Sequence, residues 1–203
     1  MALIEREEAI AILGGHLPAF FSVVSGAWDD YMSYPIDKRI VHSVRSRASL
    51  VHDHMIERAS RYATQESGVH ILERRKLYLF VFDRRIAIRF KKFDEDLRTS
   101  NQPSKQVHQF KHQRQLQGVE AAHNLEAGYI VGADGQSIQA IHLVCPSGNR
   151  AYWDVLLTES TQTTVIEDLF AKKVATEEEN DGVKVKRRQQ AQIIQLKKND
   201  DQS

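Results

Sequence analysis

The feature that most constrains the fold is a change in the spacing of apolar residues near Ser67-Gly68. Before this point, apolar residues recur every three or four positions, which is the period of an amphipathic helix. After it, they form short blocks or alternate with polar residues, which is the period of β-strands. The sequence therefore predicts an α+β protein whose helices come first and whose sheet begins near residue 70.

Three helices are predicted before this change. Residues 5–13 are helix formers that end at Gly14-Gly15, since glycine in a helix costs about 1 kcal/mol relative to alanine. A second helix begins near Pro18, because proline is tolerated in the first turn. A long third helix is predicted from about Asp37, as its N-cap, to about Thr64. Its outer faces carry Arg39, Arg45, Arg47, Arg58 and Arg61.

The second part of the chain predicts a mostly antiparallel sheet of about five strands. Residues 77–82 are apolar on both faces, and residues 86–91 alternate, so they form a central strand and its neighbour. Residues 127–157 contain three apolar runs separated by turn-forming residues, which is typical of an antiparallel meander. Between these two groups, a sparse surface helix is predicted near residues 103–116. The N-terminal helices are expected to cover one face of the sheet.

The last 46 residues have a different composition. Apolar residues become rare after Thr158, apart from four residues whose spacing suits one or two docked helical turns, namely Val165, Ile166, Leu169 and Phe170. An acidic run at 177–181 and a basic run at 184–188 follow, in a composition typical of disordered chains. The sequence therefore predicts one α+β domain at residues 1–157 and a flexible charged tail at residues 158–203.

Several classes of protein are disfavoured by the composition. The single cysteine, Cys145, excludes a disulfide framework within the chain and a zinc site built from several cysteines, and it favours a reducing compartment. No stretch approaches the ~18 consecutive apolar residues of a membrane-spanning helix, and the residues after Met1 are acidic where a signal peptide is basic. We therefore expect a cytoplasmic protein with neither a membrane partner nor a cofactor.

The net charge of +1 conceals a basic middle, since residues 37–120 contain 18 basic and 10 acidic residues. Such a distribution indicates an anionic partner. Cations here are interleaved with four aromatic residues, Tyr78, Phe80, Phe82 and Phe90, a pattern that suits contact with phosphates and stacking on bases. The predicted nucleic-acid-binding residues are Arg74, Arg75, Lys76, Arg84, Arg85, Arg89, Lys91, Lys92, Lys105, Lys111 and Arg114.

The first functional hypothesis is thus a non-catalytic binding or regulatory module that contacts nucleic acid, within a bacterial regulatory or toxin–antitoxin type of assembly. The second is a protein-interaction module or homo-oligomer. In that case the amphipathic helix of residues 37–64, or the sparse helix of residues 103–116, docks a partner or another copy of the chain.

A third hypothesis is an RNase-like enzyme, which rests on Arg47 and His52. Their Arg-x4-His spacing resembles the core of the nuclease family named after higher eukaryotes and prokaryotes nucleotide-binding. This resemblance implies that Arg47 and His52 would engage the scissile phosphate of RNA, as a cation and as an acid or base. That family is all-helical, whereas strands are predicted here. The alternative for both residues is a solvated helix face.

One pair of residues is a candidate for binding a metal ion. His108 and His112 are four residues apart on a predicted helix, so both imidazoles face the same side. A third ligand cannot be assigned from the sequence, and two solvent-facing histidines are the favoured alternative.

Overall fold

The structure is a computed structural model, and it describes residues 3–74, 77–100 and 104–160. Its elements are five α-helices and six strands: α1 (Arg6–Leu13), α2 (Leu17–Met32), α3 (Ile36–Arg39), α4 (Val44–Ala63), β1 (Val69–Arg74), β2 (Leu77–Phe82), β3 (Ile86–Phe93), α5 (Lys105–Lys111), β4 (His123–Val131), β5 (Ile138–Ser147) and β6 (Arg150–Leu157). This arrangement confirms the predicted fold class, in which N-terminal helices pack on a mostly antiparallel sheet.

The first two helices end and begin where the sequence predicts. Gly14 and Gly15 lie in a 3₁₀ turn between α1 and α2, and proline occupies the first turn of α2. Phe20, Val24 and Trp28 lie on one face of α2 and are buried against the sheet. Full burial of a large apolar side chain contributes roughly 2 kcal/mol, so this face fixes α2 on the core.

The prediction of one continuous helix from Asp37 to Thr64 is wrong. The chain forms the short helix α3, turns at residues 40–43, and then begins α4. Ser43 causes the second start, because its side chain accepts a hydrogen bond of 3.1 Å from the backbone N–H of Ser46. The apolar spacing continues through the turn, but the helix does not.

All six strands belong to one sheet, and they are arranged in the order in which they occur along the chain. Neighbouring strands are antiparallel, except that β3 and β4 are parallel over Ile86↔His123 to Phe93↔Ile130. Parallel pairing requires a crossover connection, and α5 lies within it. The sequence predicts about five strands. The structure has six, because Val69–Arg74 forms an additional strand at the start of the sheet.

At β2 and β3, both faces of this sheet are covered. On one face, α1, α2 and α4 pack against side chains such as Phe80, Phe82 and Phe90. On the other face, Phe110 of α5 and residues of the following loop pack on Leu79 and Val81. The crossover thus covers strand faces that would otherwise be exposed to solvent.

The N-terminal helical stretch Arg6–Met32 has a mean hydropathy of 1.6 and, among the described residues, is long and apolar enough to cross a membrane by length and composition. Core helices of soluble proteins meet the same criterion. Here Phe20 and Trp28 of this stretch contact Phe82 and Tyr129 of the sheet at ring-centroid distances of 5.2 and 5.6 Å. The predicted flexible tail is residues 158–203, of which residues 161–203 lie outside the described residues, and the domain limits stay a prediction.

Candidate nucleic-acid interface

A groove forms beside the C-terminal half of β3 because β2 pairs with only the first half of that strand. The β2–β3 register runs from Phe82↔Ile86 to Phe80↔Ile88, so residues 89–93 continue without β2 as a neighbour. The first turns of α4 lie across this opening, and the segment after β3 closes its far side. The groove has a volume of about 980 Å³. It is lined by Val44, Arg45, Ala48, Ser49, His52, Asp53, Lys91, Lys92, Phe93, Asp94, Arg98 and Ser100.

Three cations in this groove lack an ion-pair partner among the described residues. Arg45 is exposed at the start of α4, and Lys91 and Lys92 are half-buried on β3. A fourth cation, Arg98, is engaged differently, because its guanidinium contacts the carboxylates of Asp94 and Asp96. The groove therefore contains four cations and two carboxylates, Asp53 and Asp94, and has an excess of positive charge.

Lys91 and His52 have altered proton affinities in this groove. Burial lowers the pKa of Lys91 to about 8, and the neighbouring charges of Arg89 and Lys111 act in the same direction, against Glu126. Burial also lowers the pKa of His52, with a further contribution from the charge of Lys91. At neutral pH, Lys91 is therefore mostly charged and His52 is neutral. An anion that contacts Lys91 would favour its charged form.

Arg47 and His52, the predicted catalytic pair, do not line the same groove. Arg47 donates a hydrogen bond to the carbonyl of Gly135 in the β4–β5 turn, and its guanidinium lies 5.9 Å from the ring centroid of Trp28. His52 faces the groove, where its Nδ1 lies 3.8 Å from the carboxylate of Asp53. Residues five apart on a helix point about 140° away from each other, which explains the separation.

Arg89 is not a surface residue, although the sequence predicts it to be one of the nucleic-acid-binding cations. Its guanidinium is buried between the sheet and the crossover, where it donates to Glu126 of β4 from Nε at 2.7 Å and from Nη2. The guanidinium carbon also lies 4.4 Å from the ring centroid of Phe110. Thr99 donates a hydrogen bond to the same carboxylate at 3.2 Å. This cluster ties the crossover to the two parallel strands, and its burial removes Arg89 from the candidate interface.

The remaining predicted cations lie in other places. Arg84 and Arg85 occupy the β2–β3 turn, at the opposite end of β3 from the groove, and pair with Glu120 at 3.5 Å and Glu8 at 2.8 Å. Lys111 donates to the carbonyl of Thr99 at 3.0 Å. Two more cations of the crossover, Lys105 and Arg114, are exposed. Arg75 and Lys76 lie outside the described residues, as does the side chain of Arg74. Of the predicted cations that the structure describes, Lys91 and Lys92 line the groove.

The aromatic residues do not supply a stacking platform. Phe80, Phe82 and Phe90 are at most 2% exposed and pack against the helices. Tyr78 is only partly buried. A hydrogen bond from Tyr78 to Glu73 is the main reason that its pKa is raised, and the charge of Asp53 acts in the same direction. The idea that the strand aromatics stack on bases is therefore wrong for the three phenylalanines.

His108 and His112 do share one face of α5, with ring centroids 4.2 Å apart. They line a shallow pocket with Lys105 and Lys111. Within residues 3–74, 77–100 and 104–160, no group of three or more candidate metal ligands occurs. A metal site at this pair stays a prediction without a third ligand.

Sequence reasoning missed the contribution of α4 to the groove. Arg45, Ser49 and His52 are spaced i, i+4 and i+7, so they form one face of the helix. This face lies beside the buried residues Val51 and Met55. The spacing was readable in the sequence, but it could not show that this face lies next to β3.

Comparisons of the chain with models of protein families, with curated proteins and with solved structures found no match.

Proposed function

We propose that this protein is a non-catalytic module that binds the phosphate backbone of nucleic acid in the groove between α4 and β3. One observation carries the proposal: Arg45, Lys91 and Lys92 all line this groove, and none of them has an ion-pair partner among the described residues. Lysine and arginine side chains that contact phosphates release condensed counterions, which is the main source of affinity for nucleic acid.

The chemistry of the groove favours phosphate over base recognition. Its hydroxyls, Ser49 and Ser100, are hydrogen-bond donors of the kind that contact phosphate oxygens. The three phenylalanines that would stack on bases are in the core. Binding should therefore depend weakly on sequence and strongly on salt.

Fluorescence-anisotropy titration with short single- and double-stranded oligonucleotides tests this proposal. With about three phosphates neutralised, the logarithm of the association constant should fall with the logarithm of salt concentration with a slope of roughly −2 for single strands and −3 for duplexes. Lys91→Gln with Lys92→Gln should weaken binding about tenfold or more at low salt and make the slope less steep by about 2.

The chain offers a matched control for this variant. Arg84→Gln with Arg85→Gln removes the same charge from the other end of the same strand, where both cations have glutamate partners. This control should bind within about twofold of the unmodified protein. No binding at low salt, or an equal loss in the two double variants, would contradict the proposal.

The same titration with RNA also tests the RNase-like alternative. If Arg47 and His52 form a catalytic pair, RNA should be cleaved, and His52→Ala should abolish cleavage. Because the two side chains do not line a common groove, we expect intact RNA on a denaturing gel after incubation with the protein.

A further inference from the structure

An apolar surface borders the groove at the turn between α3 and α4. Four aliphatic side chains in this part of the chain are highly exposed: Ile36 at 69%, Ile40 at 75%, Val41 at 75% and Val44 at 61%. We call these four residues the aliphatic patch. They account for four of the seven large apolar residues that are exposed in the described part of the chain. Single exposed aliphatic residues are ordinary, but four within a span of nine residues indicate a contact surface.

The turn that carries the aliphatic patch is held in place by the rest of the molecule. Arg39 donates a hydrogen bond of 3.0 Å from Nε to the carbonyl of Tyr34, and its Nη1 lies 3.4 Å from Oε1 of Gln136 in the β4–β5 turn. The Ser43 cap then fixes the start of α4. The patch is therefore a preformed surface, and a ligand that binds there does not have to order it.

The aliphatic patch is continuous with the groove. Val44 belongs to both, because it is highly exposed and also lines the groove. The next residue, Arg45, is an exposed cation that lines the groove and has no ion-pair partner among the described residues. A ligand that fits both surfaces needs negative charge toward the groove and apolar groups toward the patch. A nucleotide combines these two properties, since its phosphate is anionic and the face of its base is a stacking surface.

The two forms of nucleic acid differ in how they present base faces. In a duplex the bases are paired and stacked, and opening one step for an apolar side chain costs a few kcal/mol. In a single strand the bases can be splayed out, so that a protein contacts their faces without this cost. Aliphatic side chains have no hydrogen-bond donors or acceptors and do not read base identity. Contact with base faces thus agrees with a weak dependence on sequence.

We propose that the aliphatic patch contacts the base faces of unpaired nucleotides whose phosphates lie in the groove, which adds affinity for single strands that a duplex does not gain. This inference rests on the proposed function. The Cα atoms of Val44 and Arg45 are about 3.8 Å apart as neighbours in the chain, so a nucleotide with its phosphate at Arg45 can place its base on Val44. The next bases along the strand then meet Val41 and Ile40.

Oligonucleotides with and without bases separate the contributions of the two surfaces. Fluorescence anisotropy at low salt compares a labelled oligothymidine of about 15 nucleotides with an abasic strand of equal length, which has the same phosphates. The groove contributes to the binding of both strands, whereas the aliphatic patch contributes only to that of the first. We expect the unmodified protein to bind the oligothymidine about tenfold more tightly than the abasic strand.

A double variant of the aliphatic patch should remove this preference. Ile40→Ser with Val41→Ser changes two exposed residues of a turn, where serine is favoured. Its affinity for the oligothymidine should fall about tenfold, while its affinities for the abasic strand and for a duplex stay within about twofold. The matched control is Ile71→Ser with Tyr152→Ser, which removes two exposed apolar side chains from the edge strands β1 and β6 and should keep the preference. Circular dichroism verifies that each variant is folded.

The outcomes distinguish this inference from the proposed function. Equal affinity of the unmodified protein for the two strands, or a patch variant that keeps the preference, would overturn the inference, while binding of the abasic strand would still support the groove. Failure to bind either strand would overturn both. A patch variant that loses as much affinity for the duplex would overturn it in favour of an apolar wedge between base pairs. A dimer that the patch variant converts to a monomer in light scattering would assign the patch to a second copy instead.

Discussion

At its hairpin end, β3 follows Arg84 and Arg85, and near its other end it carries Lys91 and Lys92. The first two cations face Glu120 and Glu8, whereas the two lysines lie in a groove without an ion-pair partner among the described residues. Between them, Arg89 is buried against Glu126. One basic stretch of sequence therefore contains solvated cations, a structural cation and cations available to a ligand. The environment of each charge, and not the number of charges, determines its role.

The largest effect should come from the buried cation. Glu126→Gln leaves the Arg89 guanidinium buried and uncompensated, which should lower the free energy of unfolding by about 3–5 kcal/mol. Urea unfolding followed by circular dichroism measures this loss. As a control, Arg89→Met with Glu126→Leu removes both charges and should recover most of the stability. A Glu126→Gln variant as stable as the unmodified protein would show that Arg89 does not need its partner.

The groove end of β3 should give an effect of intermediate size that depends on pH. Lys91 has a pKa of about 8 in the free protein, and a bound phosphate would keep it charged, so binding should take up a proton. Affinity for an oligonucleotide should then fall about tenfold between pH 7 and pH 9. Lys91→Arg keeps the charge at all these pH values and should remove most of this dependence. The other ionisable groups around Lys91 are His52, Arg89, Glu126 and Lys111.

The same shift has an opposite consequence for the protein without ligand. The pKa of Lys91 is lower in the folded state than its ordinary value of 10.5, so the folded state disfavours the charged form. The free energy of unfolding should therefore rise as the pH increases from about 8 to 10.5, and this gain should be absent below pH 8.

The binding experiment has its own contradicting outcome. If Lys91→Arg leaves the pH dependence of the oligonucleotide affinity unchanged, the titrating group is not Lys91.

The smallest effect is expected at the hairpin end. Arg85→Gln removes an ion pair with Glu8 in which both side chains are about half exposed, so the free energy of unfolding should change by less than about 1 kcal/mol. Urea unfolding in low and high salt measures it, with Glu8→Gln as the reciprocal variant. A loss as large as that of Glu126→Gln would remove the distinction between the two ends of β3.

Local patterns predicted those parts of the fold that local interactions decide. The meander of β4, β5 and β6 was readable from its turn residues, and α2 from its apolar stripe and Pro18. In contrast, β1 was missed because Val69–Arg74 forms an edge strand with the exposed Ile71 and a charged C-terminal end, so its apolar pattern is weak. The break before α4 depends on the Ser43 cap, which the continuing apolar spacing obscured.

The candidate site was less predictable, because it depends on contacts between distant segments. Alternation in β3 placed Arg89 and Lys91 on a solvent face. That face is covered by the crossover, whose position follows from the parallel pairing of β3 with β4. Local sequence does not specify whether two strands pair in parallel. Likewise, Val41 and Val44 match the spacing of core residues, yet both are exposed.

The packing of α1 and α2 has a consequence for synthesis of the chain on the ribosome. Trp28 contacts Tyr129, and the indole N–H of Trp153 donates to the carbonyl of Ile4, so the first helices are completed by some of the last strands. While these strands are still being translated, Phe20 of α2 already has Phe82 and Phe90 as partners, whereas Trp28 and Ile4 lack theirs. We therefore expect the packing of the N-terminal helices to be completed only after more than 150 residues have been made.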